Sequence, residues 1–482
     1  MPGTDGSQAS AIGRVSLALK LLYGVGEIAL TTKMALFGLF ILFFYNAVLG
    51  VPALWVGVAS ALGLAWDAVI DPYIGYRSDI CRSPFGRRHP FMLAGALTMG
   101  VTFWMIWAPP RGWSSSALFV WLMLSVLLFR TSSALFRIPY LGLGADLSRD
   151  YHERTSIVGA RSLFGLAGSL GAASLSFLLF FPTTTSFVDP KLSYEGYPRM
   201  GIAFGVAMTI AALVTFAGTL SRASGRDFPS PPRPSFRSFL EGFRLALQNR
   251  PFRKIWISFS LFFVAVVLNA SVSVHFFTWY VKIADSGVLG RLQAAFYLSA
   301  IAGVGFWLLA SKRTEKLTLY VAATLVECVL MGSAPVLFGE GRLFGTGDAR
   351  PVFALYALAG FFGSALWIVP GSMVADISDE EALRTGGRRE GLFFGLLNFG
   401  EKIAAGLAVL VGGALMDYFA YLTPGAAEQS ETTVYRIALV YGGAPALLLL
   451  GAVAAVTGYH LDSAAVAEIQ SRISERSAET GT

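Results

Sequence analysis

Apolar stretches of about 20 residues recur along the whole chain, and this recurrence constrains the fold more than any other feature. A helix of that length crosses a hydrocarbon core about 30 Å thick, and hydrocarbon admits only helices and closed barrels. Of the 482 residues, 55% are hydrophobic and only 14% are charged, which is too little charge to cover a soluble protein of this size. The sequence therefore predicts an all-α membrane protein.

Twelve such windows, bounded by proline, glycine and charged residues, fall into two sets of six. We predict the first six spans at 17–48, 51–79, 90–109, 114–147, 154–181 and 198–222. We predict the second six at 253–283, 288–311, 316–338, 351–379, 390–418 and 433–460. The predicted domains are an N-terminal bundle (1–222), a linker (223–252), a C-terminal bundle (253–460) and a tail (461–482).

The linker contains an amphipathic pattern. Its apolar residues recur at helical spacing: Phe236, Phe239, Leu240, Phe243 and Leu247. Arginine and glutamate occupy the opposite face, so that this segment is expected to form a helix lying on the membrane surface.

The two halves share a motif. "ADLSRDYHERT" begins at Ala145 and "ADISDEEALRT" begins at Ala375, so that one ends span four and the other ends span ten, the equivalent span of the other half. Two parallel six-helix repeats around a site near the midplane are the layout of major facilitator transporters. We therefore predict the major facilitator fold, with 12 transmembrane helices in two pseudo-symmetric bundles.

Basic residues cluster in loops that fall on one side of the predicted spans. These are Arg82, Arg87, Arg88, Arg149, Arg154, Lys312, Arg313, Lys316, Arg384, Arg388 and Arg389. The positive-inside rule makes that side, with both termini, cytoplasmic, and we expect the plasma membrane, which in a bacterium is the inner membrane. The same rule accounts for the net charge of +7, so that no nucleic-acid partner is expected.

Cysteine and metal-ligand patterns are sparse. The chain has only Cys81 and Cys328, and it lacks both a C-x-x-C motif and a His/Cys spacing that would hold zinc. We expect neither a disulfide framework, nor a metal, nor a cofactor.

"WDAVIDPYIGYRSDICRSPFGRRHP", from Trp66 to Pro90, places two carboxylates inside an apolar span. Asp67 and Asp71 are four residues apart and share one helical face. Two carboxylates this close repel in a low dielectric unless a cation lies between them, they share a proton, or a basic side chain neutralises them. The first two outcomes are the chemistry of a cation-coupled symporter, whereas the third is also satisfied by a salt bridge that only fixes helix packing.

Cationic side chains lie at a similar depth. Arg130 and Arg137 are seven residues apart on one face of span four, and Arg137, which precedes "IPY", is well placed to pair with the acidic residues. Lys402 in span eleven brings a positive charge from the other half. We assign Arg137, Tyr140 and Lys402 to substrate binding and coupling.

Other polar groups receive more ordinary interpretations. We expect Glu327 to have a structural partner or to snorkel, and His89, His152 and His460 to be solvated. His275 and Asn269 could line the pathway or form interhelical hydrogen bonds. Asp79, Arg87 and Arg88 are expected to form a gate at the cytoplasmic face, together with Asp146 and Asp376 of the repeated motif.

These stretches, with "IPYLGLGADLSRDYHERTSIVGARSLFG" and "MVADISDEEALRTGGRREGLFFGLLNFGEKIAAG", resemble the glycoside-pentoside-hexuronide:cation symporter family over all twelve spans. The D-x-x-x-D-P-x-x-G pattern of span two is the most specific part. The resemblance implies that Asp67 and Asp71 bind the coupling cation, that Lys402 lies near both the cation and the substrate, and that Arg161 lies near a sugar.

The sequence also departs from that family's sugar-binding members. Residues that contact sugar or sodium there correspond to Arg137, Ala134, Leu141 and a position near Thr31. Galactoside recognition is therefore not supported. Because Arg137 supplies the positive charge that sodium would bring, proton coupling and a salt bridge opened by a substrate anion stand beside sodium coupling as alternatives.

We expect a secondary active symporter that moves a sugar, glycoside or similar small solute by alternating access, with Na⁺ or H⁺ as the coupling ion, and that functions as a monomer. A lysolipid or other amphiphile carrier is the alternative, since the resemblance extends to a vertebrate lysolipid symporter. An enzyme would need a nucleophile–base pair or a metal cluster, and neither H-E-x-x-H nor a G-x-S-x-G in a suitable turn is present. A non-transporting receptor would be expected to lose its intramembrane charges.

Overall fold

The computed structural model describes residues 15–148, 150–182, 189–222, 236–385 and 390–480. These residues contain 12 helices that are long and apolar enough to cross a membrane, and no strand. The helices, numbered here as spans 1 to 12, are Leu17–Val48, Ala53–Ile80, His89–Trp107, Ser115–Leu147, Glu153–Phe180, Gly196–Thr219, Arg250–Tyr280, Ser286–Ala310, Lys316–Leu337, Arg350–Thr385, Glu390–Phe419 and Glu431–Ala455. The prediction of an all-α protein with twelve spans is confirmed.

Several spans begin at side-chain caps that the sequence supplies. Ser114, Asp150, Asn249 and Ser430 each accept a hydrogen bond from a backbone N–H in the first turn of spans 4, 5, 7 and 12. Such caps satisfy donors that a helix start otherwise leaves unpaired.

Two predicted ends are wrong by about a turn or more. Span 10 runs on to Thr385, beyond the predicted 379, because Glu381 in its last turns accepts hydrogen bonds from Arg384 (2.9 Å) and from Asn249 (3.2 Å). Span 12 stops at Ala455, before the predicted 460, where the backbone turns through Gly458 at φ 68°. The predicted tail contains a helix, Ser463–Thr480, which packs on span 10.

Helix packing within the two halves follows the same scheme. In the N-terminal half, span 3 packs on spans 4 and 6, span 1 on spans 5 and 6, and span 2 on span 4. Adding six to each number gives the packing of the C-terminal half. The halves meet through spans 2 and 11, spans 5 and 8, and spans 1 and 7. This pairwise correspondence is the pseudo-symmetry predicted from the repeated motif.

The halves are closed against each other at the end opposite the linker, here called the far end. His275 of span 7 packs its ring on Phe43 of span 1, with 4.9 Å between centroids. Lys191 donates to the carbonyl of Ile283 at 3.0 Å, across the two halves. At Gly57 of span 2 a β-carbon would lie 2.7 Å from the Cα of Leu410, so that only glycine permits this close approach to span 11.

Asp417 of span 11 adds a charged contact to the far end. Its two carboxylate oxygens accept from the backbone N–H groups of Ala53 (3.0 Å) and Leu54 (2.8 Å), at the start of span 2 in the other half. Pro52, which precedes span 2, provides no side-chain cap. The carboxylate of one half therefore caps a helix of the other half and also meets the positive end of its dipole.

A cleft between the halves opens at the opposite end, called here the linker end. One face of span 11 shows this by graded exposure: Phe394 and Asn398 are exposed, Glu401 and Ala405 are half-buried, and Ala408 is buried. The face of span 11 that points away from the protein stays exposed at Ile403 (39%), Leu407 (47%) and Val411 (38%). Only the first face becomes buried toward the far end, as expected for the wall of a cleft that narrows.

The linker forms the predicted helix, Phe236–Gln248. Phe243 of this helix packs on Trp256 and Phe399, with 5.7 and 6.3 Å between ring centroids, so that part of the apolar face covers spans 7 and 11 rather than the membrane. The side chains of Phe236, Phe239, Leu240 and His152 lie outside the described set, as do residues 223–235, Arg149, Arg388 and Arg389.

We predict that replacing Asp417 with asparagine loosens the far end. Loss of a helix cap costs about 1 kcal/mol, which changes a population ratio about fivefold. A cysteine introduced at Ala53, which is fully buried, should react several times faster with a hydrophilic maleimide in the purified Asp417→Asn protein, after Cys81 and Cys328 are replaced. Asp348→Asn, an exposed change on a far-end loop, is the control. An unchanged labelling rate in Asp417→Asn would show that Asp417 does not hold the far end closed.

Candidate substrate and coupling site

The acidic pair of span 2 faces the interior. Asp67 is 9% exposed, and a small polar cavity lies between Lys33, Asp67, Asp71, Arg130 and Arg137. Spans 1, 2 and 4 contribute these five side chains, and span 11 reaches the same place with Lys402. The two carboxylates therefore lie beside the cleft between the halves and not against lipid.

Asp67 is paired with Arg130. Nη1 of Arg130 donates to Oδ2 of Asp67 at 2.6 Å, and both side chains are 12% exposed. Gly63 makes room for this arginine, since a β-carbon there would lie 2.5 Å from Nε of Arg130. One turn from the pair, the indole N–H of Trp66 donates to the Thr131 hydroxyl at 2.9 Å and fixes span 2 against span 4.

Asp71 is shared by two cations from different halves. Its Oδ2 accepts from Nη2 of Arg137 in span 4 and from Nζ of Lys402 in span 11, the latter at 2.7 Å. Its Oδ1 is buried and accepts from no described residue. The Lys402 side chain is 39% exposed and that of Asp71 only 13%, so that the ammonium lies at the surface of the cleft. This ion pair joins the two halves inside the membrane.

The site carries more positive than negative charge. Two carboxylates face three cations, Arg130, Arg137 and Lys402, and Lys33 lies in the same cavity over the ring of Phe129 at 5.8 Å. Arginine stays protonated at accessible pH, so that its charge is permanent. An excess of fixed positive charge in a narrow cleft attracts anions.

Arg161 and Tyr140 belong to a second polar cluster in the N-terminal half. Nε of Arg161 lies 3.4 Å from a carboxylate oxygen of Glu27. Tyr140 is fully buried and stacks on Tyr23 (4.6 Å between centroids) and Phe136 (5.3 Å). Aromatic packing between spans 1 and 4 thus holds Tyr140 away from the cleft surface in this state, and contact of Tyr140 or Arg161 with a solute stays a prediction.

The predicted gate residues form ion pairs inside each half. Asp146 at the end of span 4 accepts from Arg87 at 2.8 Å and lies 3.0 Å from Nε of Arg88, which is 3.6 Å from Asp79. Asp376 of span 10 accepts from Lys316 at 2.6 Å. The repeated motif therefore provides one carboxylate per half. Asp146 pairs with bases of the connection between spans 2 and 3, and Asp376 pairs with the first residue of span 9.

Among the remaining polar groups, the expectation for His89 is wrong. His89 is only 1% exposed and lies 3.1 Å from the Thr219 hydroxyl, because packing of span 3 against span 6 removes it from water. For Glu327, the structure excludes snorkelling and leaves the structural alternative, because Glu327 is 2% exposed and span 9 turns it toward Gly363 of span 10. Asn269 has the interhelical role, donating to the carbonyl of Tyr441 at 2.9 Å.

His275 is buried at the far-end contact already described, and His460 is exposed as expected. The described residues contain no group of three or more histidine, cysteine, aspartate or glutamate side chains that could hold a metal ion.

The sequence analysis did not pair Asp67 with Arg130, although the order of the residues contains a usable signal. Spans 2 and 4 both run from the far end to the linker end, so that residues later in one meet residues later in the other. The first acid therefore meets the first arginine and the second acid meets Arg137.

Comparison with known proteins identifies a family. The sequence profile described as "MFS/sugar transport protein" matches residues 22–463. An uncharacterized symporter of Synechocystis sp. is 23% identical over 98% of this chain and 99% of its own length. The sodium-dependent lysophosphatidylcholine symporter 1 of Xenopus tropicalis is 23% identical over 93% of this chain and 88% of its own length. Among solved structures, a bacterial homologue of the human lysosomal transporter Spinster, inward-facing and unoccupied, has a TM-score of 0.66 at 15% identity and covers 95% of this chain and 97% of its own.

We predict that Asp67→Asn destabilises the protein and that a second change restores it. The single change leaves the guanidinium of Arg130 buried without a partner, at a cost of about 3 kcal/mol. Asp67→Asn combined with Arg130→Gln removes the unpaired charge, so that thermal unfolding of the purified double variant should return most of the way to the wild-type midpoint. Equal midpoints for the single and double variants would contradict a paired role for these two side chains.

Proposed function

The chain belongs to the MFS/sugar transport protein family, and we propose that it is a symporter that carries a small solute with an anionic group by alternating access. The observation that carries this proposal is the ion pair between Asp71 and Lys402, which joins the two halves beside an excess of positive charge.

An anionic group entering the cleft from the linker end reaches Lys402 first, because that ammonium is the more exposed member of the pair. Lys402 and Arg137, which both donate to Oδ2 of Asp71 in this state, can together donate to the anionic group instead. A carboxylate or phosphate that takes over these donors releases the tie between the halves. Because the solute then interacts differently with the closed and open arrangements, its binding changes their populations.

The contacts of the two aspartates favour a proton over sodium as the coupling ion. A hard cation such as sodium needs oxygen ligands that are free of competing cations. Oδ2 of Asp67 accepts from Arg130 and Oδ2 of Asp71 accepts from two bases, which leaves Oδ1 of Asp71 as an oxygen without a described partner, in a site where cations already outnumber carboxylates. We infer that Asp67 and Asp71 act in coupling by exchanging ion pairs and not by binding sodium.

A sugar-type solute with a carboxylate or phosphate group is the leading cargo. The family description names sugar transport, and the second cargo is a lysolipid, favoured by the likeness to the lysophosphatidylcholine symporter over most of this chain. Both classes present an anionic group to Lys402 and Arg137. Only the lysolipid carries an acyl chain, and that chain needs an apolar path beside the cleft.

We place the linker end in the cytoplasm. The basic residues Arg82, Arg87, Arg88, Lys312 and Arg313 lie at this end, which is the side that the positive-inside rule makes cytoplasmic. The open cleft is then the inward-facing state, in a protein of the plasma membrane, which in a bacterium is the inner membrane.

We predict that anionic solutes stabilise the purified protein and that neutral ones do not. A thermal-shift screen compares glucuronate, glucose 6-phosphate, glucose and lysophosphatidylcholine, each with and without sodium. A bound ligand at 100 times its Kd stabilises by about 2.7 kcal/mol. The proposal is supported if the acidic sugars raise the unfolding midpoint of the wild type and do not raise that of Lys402→Gln. A shift for lysophosphatidylcholine alone selects the lipid cargo, and sodium-dependent shifts with neutral glucose contradict the proposal.

We predict that Asp71→Asn uncouples transport. Without the carboxylate, Lys402 no longer ties the halves together and Arg137 loses its acceptor, so that the solute no longer has an ion pair to exchange. Accumulation of radiolabelled solute in proteoliposomes should fall about tenfold or more, whereas exchange of solute across the membrane should persist at a reduced rate. Glu428→Gln on an exposed far-end loop is the control; concentrative uptake that survives in Asp71→Asn would remove Asp71 from the mechanism.

A further inference from the structure

Span 11 contains an acid that no element of the proposed mechanism uses. Glu401 precedes Lys402, and its carboxylate has neither a hydrogen bond nor an ion pair among the residues that the structure describes. Adjacent residues of a helix point about 100° apart, so that Glu401 does not share the direction of Lys402 toward Asp71. We propose that Glu401 is the group that binds and releases the coupling proton.

The position of Glu401 supports this role. It follows Phe394 and Asn398 on one helical face, at spacings of four and three residues, and these two are exposed in the cleft. Farther along, Ala405 is half-buried and Ala408 is fully buried. Glu401 is thus placed where the cleft narrows, within reach of water from the linker end and on a wall that closes when the halves rock.

No described side chain of the elements packed around span 11 forms an ion pair with Glu401. Span 7 has its ionisable side chains near its two ends, at Arg250, Arg253, Lys254 and His275. Span 2 brings Asp67 and Asp71, which are already paired, and nearer the linker end it carries Arg77, which is exposed, and Asp79, which lies 3.6 Å from Arg88. Span 10 has its charged residues near its ends, with Asp376 paired to Lys316. The linker helix, which packs on spans 7 and 11, carries Glu241 and Arg244. Lys402 is engaged with Asp71.

An ionised carboxylate inside a membrane protein is costly without a nearby cation or water. Glu401 is therefore suited to hold a proton while the cleft is closed over it and to lose the proton when water enters. Asp67 and Asp71 are unsuited to this, because guanidinium and ammonium groups already neutralise them. Proton exchange and solute recognition are therefore carried by different groups: Glu401 exchanges the proton, and the ion pair of Asp71 with Lys402 responds to the solute.

Because Glu401 lies next to Lys402, proton release can affect the ion pair that responds to the solute. When Glu401 loses its proton, the new negative charge competes with Asp71 for the long and partly exposed Lys402 side chain. The ion pair between the halves is then weakened by proton release, just as it is weakened by a solute anion. This linkage rests on the proposed symport, whereas proton binding by Glu401 does not.

The first experiment needs no solute. Infrared spectra of the purified full-length protein, recorded across pH, report the carbonyl band of a protonated carboxyl group. Glu327 is a second carboxyl group that is buried without an ion pair among the described residues, so the spectra are recorded in the Glu327→Gln background, which serves as the matched control. We expect a band that disappears as pH rises in Glu327→Gln and is missing when Glu401→Gln is added. Glu401→Asp in the same background, which keeps a carboxyl group, should retain the band at a shifted pH. A titrating band that is unchanged by Glu401→Gln overturns the inference.

The second experiment tests the link to transport, with glucuronate as the probe. In proteoliposomes with an imposed pH gradient, the wild type and Glu327→Gln should accumulate glucuronate, and Glu401→Gln should only equilibrate it, an effect of about tenfold or more. Accumulation by Glu401→Gln overturns the inference. If the wild type does not accumulate glucuronate while the Glu401 band still titrates, the proposed function fails and the proton site stands.

Discussion

The ion pair between Asp71 and Lys402 is the interaction on which the proposed mechanism depends. It is the charged contact between the halves beside the cleft, and Arg137 shares the same carboxylate oxygen. A buried pair of this kind adds little net stability, since desolvation offsets most of the Coulomb attraction. In the proposed mechanism this pair is exchangeable: a competing anion replaces the carboxylate at small net cost, and the halves are then free to move.

At the far end, the contact between the halves is made by hydrogen bonds and close helix packing instead of an ion pair. Asp417 caps the first N–H groups of span 2 across the halves, and glycine at position 57 lets the two helices touch. Hydrogen bonds to a helix start can be replaced by water when the gap opens, because water reaches the same donors. A closed far end and an open linker end are therefore held by contacts that are individually weak, as alternating access requires.

Most of the charged site could be predicted from the sequence. Acids inside an apolar span must find a cation or an aqueous cleft, and this constraint singled out Asp67 and Asp71 and then Arg137 and Lys402 as partners at the same depth. The pairing of Asp67 with Arg130 was missed because spacing along one helix does not reveal which residue of a neighbouring helix it meets. The stacking of Tyr140 on Tyr23, in the core of the N-terminal half, is likewise a contact between helices that spacing along span 4 does not reveal.

The sequence alone determined that the chain spans a membrane twelve times in two related halves, because hydrocarbon leaves helices as the way to satisfy the backbone of apolar segments of this length. It also determined which charges had to be explained. Only the tertiary structure decided which end is closed, which cations neutralise which acid, and that Glu401 is left without a partner among the described residues. Those features depend on the rotation and crossing of helices that are far apart in the chain, and these are fixed by packing across the molecule, not by any local pattern of residues.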